Sequence, residues 1–258
     1  MFVWKTNGVL DYTSHQNCQS RNEATFETIR RANPRDFERV QINTGDVDND
    51  PGALAFSTQT DDYSRCVPDF VFGGWPESGV DDYTETAQRM SEAGESEPEM
   101  NVMGWRGAMT HSNRRNLLKF TDKSLYDIEE VHWSGPSSTQ KRHECTNNFV
   151  TLVGHVKKWK YLIDVEGNGW SARMKLLMFG RRVLFLQDRP HKEWFWPLME
   201  PWKHFVPVAR DLSDLEEKYK IVRGDPDIYT RVASESHAFA MKHLTVEAAC
   251  ERWRNVLN

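Results

Sequence analysis

A chain of 258 residues can bury one large α/β core or two smaller ones, so its stability requires neither disulfide staples nor a structural metal. Its 33 Lys and Arg face 38 Asp and Glu, for a net charge of −5, and the basic residues are interleaved with acids, which argues against a dedicated nucleic-acid binder. The most apolar stretch, Leu176 to Leu186, is broken by Arg181 and Arg182, and the opening MFVWKTNGVLDY lacks an apolar signal core, so no membrane span is expected and a cytoplasmic location is.

In chain order, Glu23 to Ala32 has helical spacing, and short strand-like runs follow at Arg39 to Ile42, Ala53 to Ser57 and Phe70 to Phe72, separated by turn-rich segments such as GDVDNDPG. Residues 92–100, EAGESEPEM, are acidic, interrupted by Gly and Pro, and without periodicity, which predicts a linker. Beyond it, Asn101 to Trp105 reads as a strand entering a turn at Arg106-Gly107, and Asn113 to Phe120 as a helix with Ser112 as its cap. Tyr161 to Val165, then Glu166-Gly167-Asn168-Gly169, a helix over Ser171 to Phe179 and a second strand at Arg182 to Leu186 make a βαβ unit. A strand at His204 to Val208 and two helices, Asp227 to His243 and Val246 to Leu257, complete the pattern.

The first turn of the βαβ unit carries the chemistry. Gly167 and Gly169 allow close approach of the backbone, Ser171 stands at the predicted helix start, and Arg173 lies in its first turn. Free N–H groups, a helix terminus and a guanidinium in one place suit a diphosphate. The loop is neither a Walker A sequence nor a dinucleotide fingerprint, and an ordinary glycine turn with a surface arginine has the same residues. Ten tryptophans and seven tyrosines are many for so polar a chain; aromatic faces line sugar sites, although each individual Trp is read as core. Cys18, Cys66, Cys145 and Cys250 form no C-x-x-C pair and read as reduced, buried thiols.

From Lys160 onward, KYLIDVEGNGWSARMK, EWFWPLMEPWKHFVPV and DLSDLEEKY resemble glycosyltransferase family 90, with weaker matches at VQINTGDVD and WRGAMTHSNRRNLL. The resemblance implies a two-lobed α/β architecture of the GT-B type, with two Rossmann-like lobes, inversion at the anomeric centre, and UDP-glucose or UDP-xylose as donor. Residues 1–95 would form the acceptor-side lobe, 101–243 the UDP-sugar lobe, and 244–258 a helix returning across both. It places Arg106, Gly107, Thr110 and Arg114 on a donor loop, Ser171, Arg173 and Lys175 at the diphosphate, and Glu193 on the donor side. Asp46, closing the Asn43-x-x-Asp46 motif, is the expected general base, with Asp48 and Asp69 as alternatives. The acceptor would be a glycan or glycoprotein. The compact chain resembles the small algal-virus xylosyltransferase type of the family more than its lumenal glucosyltransferases, which favours xylose and a virus-encoded enzyme acting in the host cytoplasm.

UDP-sugar is then a co-substrate and no metal or other cofactor is expected. Two other readings carry different chemistry. A non-catalytic glycan-binding module would use the aromatic residues but needs no diphosphate site. A metal-dependent transferase would use the Asp46-x-Asp48 pair. An EF-hand fails, because Pro51 and Ser57 stand where Gly and Glu are required.

Overall fold

The protein is described here by a computed structural model covering residues 1–14, 19–47, 50–132 and 148–258. Asn7 and Gly8, with φ of 52° and 79°, form a two-residue turn whose left-handed backbone matches the twist of paired strands. They join β1 (Phe2–Thr6) to β2 (Val9–Thr13) in a hairpin that the sequence reading passed over. After α1 (Gln19–Ala32), β3 (Phe37–Asn43) pairs antiparallel with β1, and the short β4 (Leu54–Ala55) pairs parallel with β3. Residues 1–55 therefore build a mixed sheet, ordered β2-β1-β3-β4, where a Rossmann-like parallel sheet was expected; a tight hairpin can join only antiparallel strands.

Phe70 to Phe72, expected as a strand, is instead a 3₁₀ turn over Phe70–Gly73, because Asp69 accepts the Val71 N–H and caps it. The predicted linker is also partly helical. α2 (Tyr83–Gly94), capped by Asp82, takes its first three residues, and β5 (Met100–Gly107) begins at its last. The connector between them is held by the buried Arg182, whose guanidinium donates to the carbonyls of Ala93, Gly94 and Ser96.

The second sheet is wholly parallel: β6 (Tyr126–Glu130), β5, β7 (Trp159–Asp164), β8 (Val183–Gln187) and β9 (Val206–Val208), in that spatial order. Its inner strands β7 and β8 are apolar on both faces, as a covered parallel sheet requires. Tyr161, Ile163, Val183 and Phe185 join one apolar cluster with α6 (Leu215–Gly224). Leu162, Leu184 and Leu186 join the other, with α2, α4 (Leu152–Lys158) and α7 (Pro226–His243). α8 (Val246–Leu257), capped by Thr245, returns to α1, where Arg254 donates to the carbonyl of Ala32. Trp105, Trp159 and Trp253 are fully buried core residues. Cys66 and Cys250 are buried as well, whereas Cys18 and Cys145 lie outside the described residues.

The strand order positions the site. From β5 the chain runs through α3 (Ser112–Leu117) to the edge strand β6, and then crosses back to β7 on the other side of β5. The loops leaving β5 and β7 thus diverge, and open parallel sheets bind ligands in the crevice at such a switch point.

Candidate active site

Most of the expected donor residues meet at this crevice. Arg114, on α3, donates through Nε to the carbonyl of Glu166 and through Nη1 to the carbonyl of Ala108, tying the loop after β5 to the loop after β7. An added Cβ at Gly167 would stand 3.2 Å from Arg114 Nη2 and 3.6 Å from Thr110 Oγ1, so Gly167, Thr110 and Arg114 are immediate neighbours. Arg173 reaches the same place from below, donating through Nη1 to the carbonyl of Arg106 at the end of β5. Both guanidinium groups lie over the buried indole of Trp105, at 5.8 Å for Arg114 and 5.5 Å for Arg173. Gly107 leaves room for that indole, since a Cβ there would come within 2.7 Å of it.

Arg173 Nη2 is buried and has no hydrogen-bond partner among the described residues. A buried cationic donor left unpaired is costly, and an anion or a water reaching it would satisfy it. Arg114 shares the crowding: burial lowers its guanidinium to about 10, and the adjacent Arg173 adds to the effect, with Asp164 opposing it.

The helix expected to cap this site is shorter than its sequence pattern suggests. α5 covers only Met174–Leu177 and passes into a 3₁₀ turn over Met178–Gly180, with Arg173 at its N-cap position and no side-chain cap. Ser171 does not cap it. Its hydroxyl donates instead to Asp164 Oδ1 at 2.8 Å. One helical turn carries little macrodipole, so the positive field of the crevice comes from guanidinium groups. The cap of α3 differs likewise: His111 Nδ1, rather than Ser112, accepts the Asn113 N–H.

Lys175, Asp69 and Glu193, which the sequence suggested for three separate roles, form one closed cluster. Lys175 Nζ donates to Asp69 Oδ2 at 2.8 Å and to the carbonyl of Ala172 at 2.9 Å, and lies at ion-pair distance, 2.9 Å, from Glu193 Oε1, whose carboxyl oxygens accept no hydrogen bond among the described residues. Trp170 Nε1 also donates to Asp69. All three titratable side chains are buried, and burial, with the neighbouring Asp69 adding, pushes the Glu193 carboxyl up to about 8 against the pull of Lys175. Asp69 and Lys175 thereby join the N-terminal part of the chain to the parallel sheet. Arg106 is similarly occupied: its guanidinium is bound by Asp127 at 2.7 Å, and it offers the crevice its carbonyl. Burial alone would raise Asp127, but hydrogen bonds from Arg106, Lys158 and Trp159 hold it down to about 2.

Asp46 lies at the rim of the crevice. Its carboxylate accepts from Arg21 Nη1 at 2.7 Å and from Asn168 Nδ2 at 3.3 Å, and its carbonyl sits where a Cβ of residue 169 would be. Gly169 therefore serves close approach to the Asp46 loop rather than to a ligand. Asp50, by contrast, shapes its own turn by accepting the Gly52 N–H, and Asp48 lies outside the described residues. Among the described residues no group of three or more His, Cys, Asp and Glu is placed to hold a metal ion.

The sequence reading missed Asp164, Glu166 and Arg189, all at the C-terminal ends of apolar strands. Asp164 accepts from Ser171, Arg173 and Arg189, and Glu166 Oε1 accepts from Asn113 and Arg210. The available signal was an acid ending the run Tyr161-Leu162-Ile163 and an arginine just after the run Val183 to Leu186.

Several known proteins are similar to this chain in sequence. Protein O-glucosyltransferase 1 of Rattus norvegicus is 27% identical over 93% of this chain and 65% of its own length. Protein O-glucosyltransferase 1 of Homo sapiens is 29% identical over 60% of this chain and 40% of its own. Protein O-glucosyltransferase 3 of Homo sapiens is 39% identical over 32% of this chain and 16% of its own. The chain thus spans less than two thirds of the length of these relatives. A solved structure titled Crystal Structure of TarM superposes on 64% of this chain and 36% of its own, with a TM-score of 0.44 and 12% identity. The model of glycosyl transferase family 90 matches residues 33–258, a span that takes in β3, the whole parallel sheet and every residue of the crevice apart from Arg21, and the chain belongs to that family.

Proposed function

We propose that this chain is an inverting, metal-independent glycosyltransferase that moves glucose or xylose from a UDP-sugar to a hydroxyl of a glycan or glycoprotein. The observation that carries this reading is the buried, unpartnered Nη2 of Arg173 at the switch point of the parallel sheet, beside Arg114 and the Gly167 loop. In this reading residues 101–243 hold the donor diphosphate, residues 1–95 present the acceptor in a GT-B-like arrangement, and the C-terminal helix braces the N-terminal part.

The acceptor oxygen attacks the anomeric carbon from the face opposite the diphosphate, and the bond from that carbon to the β-phosphate oxygen breaks. Its electron pair leaves on UDP, where the guanidinium groups of Arg114 and Arg173 stabilise the growing charge. The proton of the acceptor hydroxyl passes to Asp46, the carboxylate on the rim, by general-base catalysis. Two arginines supply the charge stabilisation that a divalent ion supplies in metal-dependent transferases.

The test is UDP release from UDP-glucose and UDP-xylose in the presence of EDTA. Turnover with either donor supports the reading. Turnover that returns only with added manganese would replace it by a metal-dependent transferase, and a chain that neither turns over nor binds UDP would be a glycan-binding module.

A further inference from the structure

The last residue of β7, Asp164, is wholly buried and cannot touch a ligand in the crevice, yet it contacts the groups that set the crevice's charge. Its Oδ1 accepts from Ser171 Oγ at 2.8 Å and from Arg173 Nε at 3.0 Å. Its Oδ2 accepts from Arg189 Nη1 at 2.8 Å, and its carbonyl from Arg189 Nη2 at 2.9 Å. Arg189 is held further by the carbonyl of Gln187, which receives its Nε–H at 3.1 Å. Arg189 is thus a fixed internal cation, whereas Arg173 is fixed on three sides and keeps one N–H group unpartnered on the fourth. Asp164 takes its Nε, the Arg106 carbonyl takes its Nη1, the Trp105 ring lies against its face, and Nη2 is left over.

We propose that Asp164 is a positioning residue for glycosyl transfer: it orients the Arg173 guanidinium so that Nη2 faces the donor diphosphate, with Arg189 as the counter-cation that keeps the carboxylate in place. This inference rests on the reading of Arg173 as a diphosphate ligand. A guanidinium is a rigid planar fork, so fixing Nε and Nη1 fixes the direction of Nη2 as well, and less conformational entropy is lost when the ligand binds. Although burial works against its charge, Arg189 and Arg173 hold the Asp164 carboxyl below its ordinary range, so the clamp is ionic at neutral pH.

A double-mutant cycle separates this role from a merely structural one. UDP affinity is measured by calorimetry in EDTA for wild type, Asp164→Asn, Arg173→Ala and the double variant, with thermal unfolding to confirm that each is folded. The expected result is a loss of roughly tenfold or more in each single variant, with the double variant no weaker than Arg173→Ala, because Asp164 acts through Arg173. Losses that multiply, or wild-type affinity in a folded Asp164→Asn, would overturn the inference. Arg173→Lys covers the case in which Asp164→Asn does not fold, since lysine keeps the charge and loses the clamped fork. It should bind UDP about as poorly as Arg173→Ala, and near wild-type binding would refute the role of orientation. Undiminished affinity in Arg173→Ala itself would instead overturn the diphosphate reading, and the clamp with it.

Discussion

Gly169, in the loop after β7, packs against the backbone of Asp46 in the N-terminal part of the chain, and Gly169→Ala turns that contact into a measurable displacement. The added Cβ would lie 1.7 Å from the carbonyl oxygen of Asp46 and 2.8 Å from its carbonyl carbon. Even to reach 3.0 Å, the least separation real Cβ atoms tolerate, the two backbones must part by 3.0 − 1.7 = 1.3 Å. Neither atom is the end of a flexible side chain, so the Asp46 loop and its carboxylate move together. A displacement of about 1 Å at a reacting group can cost on the order of 100-fold in rate, and the loss should appear in transfer to acceptor while UDP affinity stays within a few-fold. Gly224→Ala is the matched control, because a Cβ there meets nothing within 4 Å. The assay pairs UDP calorimetry with acceptor-dependent UDP release for the two variants. Transfer by Gly169→Ala within threefold of wild type would refute the argument that the contact of Asp46 with Gly169 sets the catalytic geometry.

Two further outcomes follow from the same site. Asp46→Asn should lower transfer by about 10²–10⁴-fold with little change in UDP affinity or melting temperature; a rate close to wild type, measured by UDP release, would mean that another group accepts the proton. Glu193→Gln should remove a pH dependence of stability: the folded protein holds a proton on Glu193 up to about pH 8, whereas the unfolded chain releases it near 4.5, so this group's contribution falls as pH rises between those values. Melting temperatures at pH 5 and pH 8 should therefore favour Glu193→Gln over wild type progressively as pH rises, and a constant difference would place the Glu193 proton elsewhere.

The sequence was most legible where a local pattern coincided with tertiary demand. The C-terminal helices were read within a residue, because Asp225-Pro226 and Thr245 are strong start signals that the tertiary structure uses as caps. The βαβ unit, with Gly167 and Arg173 in its first turn, was also readable from the residues, whereas Thr110 and Arg114 were placed beside them only by the resemblance to family 90. What was not readable depended on partners distant in sequence. Ser171 has the character of a cap, but the buried Asp164 seven residues earlier offers its hydroxyl a charged acceptor, and the helix shortens. Lys175 follows Arg173 by two residues and was given the same role, yet its partners are Asp69 and Glu193, which fold around it from both sides in sequence. Phe70 to Phe72 has the composition of a strand, and one capping contact from Asp69 turns it into a 3₁₀ turn. The β1–β2 hairpin, marked by Asn7-Gly8, shows the opposite case: a strong local signal that the reading did not take up.

In this reading Arg173 receives the diphosphate of a UDP-sugar without a metal ion, and the decisive measurement is calorimetric titration of UDP into wild type, Arg173→Ala and Arg181→Ala in EDTA. Arg181 follows the same helical turn and its half-exposed side chain pairs with Glu95 at 3.8 Å, so it controls for net charge. A charge-assisted hydrogen bond is worth roughly 1.5–3 kcal/mol, which corresponds to a loss of about tenfold or more in affinity. The account predicts metal-free UDP binding by wild type, that loss in Arg173→Ala and little change in Arg181→Ala. Equal affinities for all three proteins, or UDP binding by wild type only when manganese is added, would contradict it.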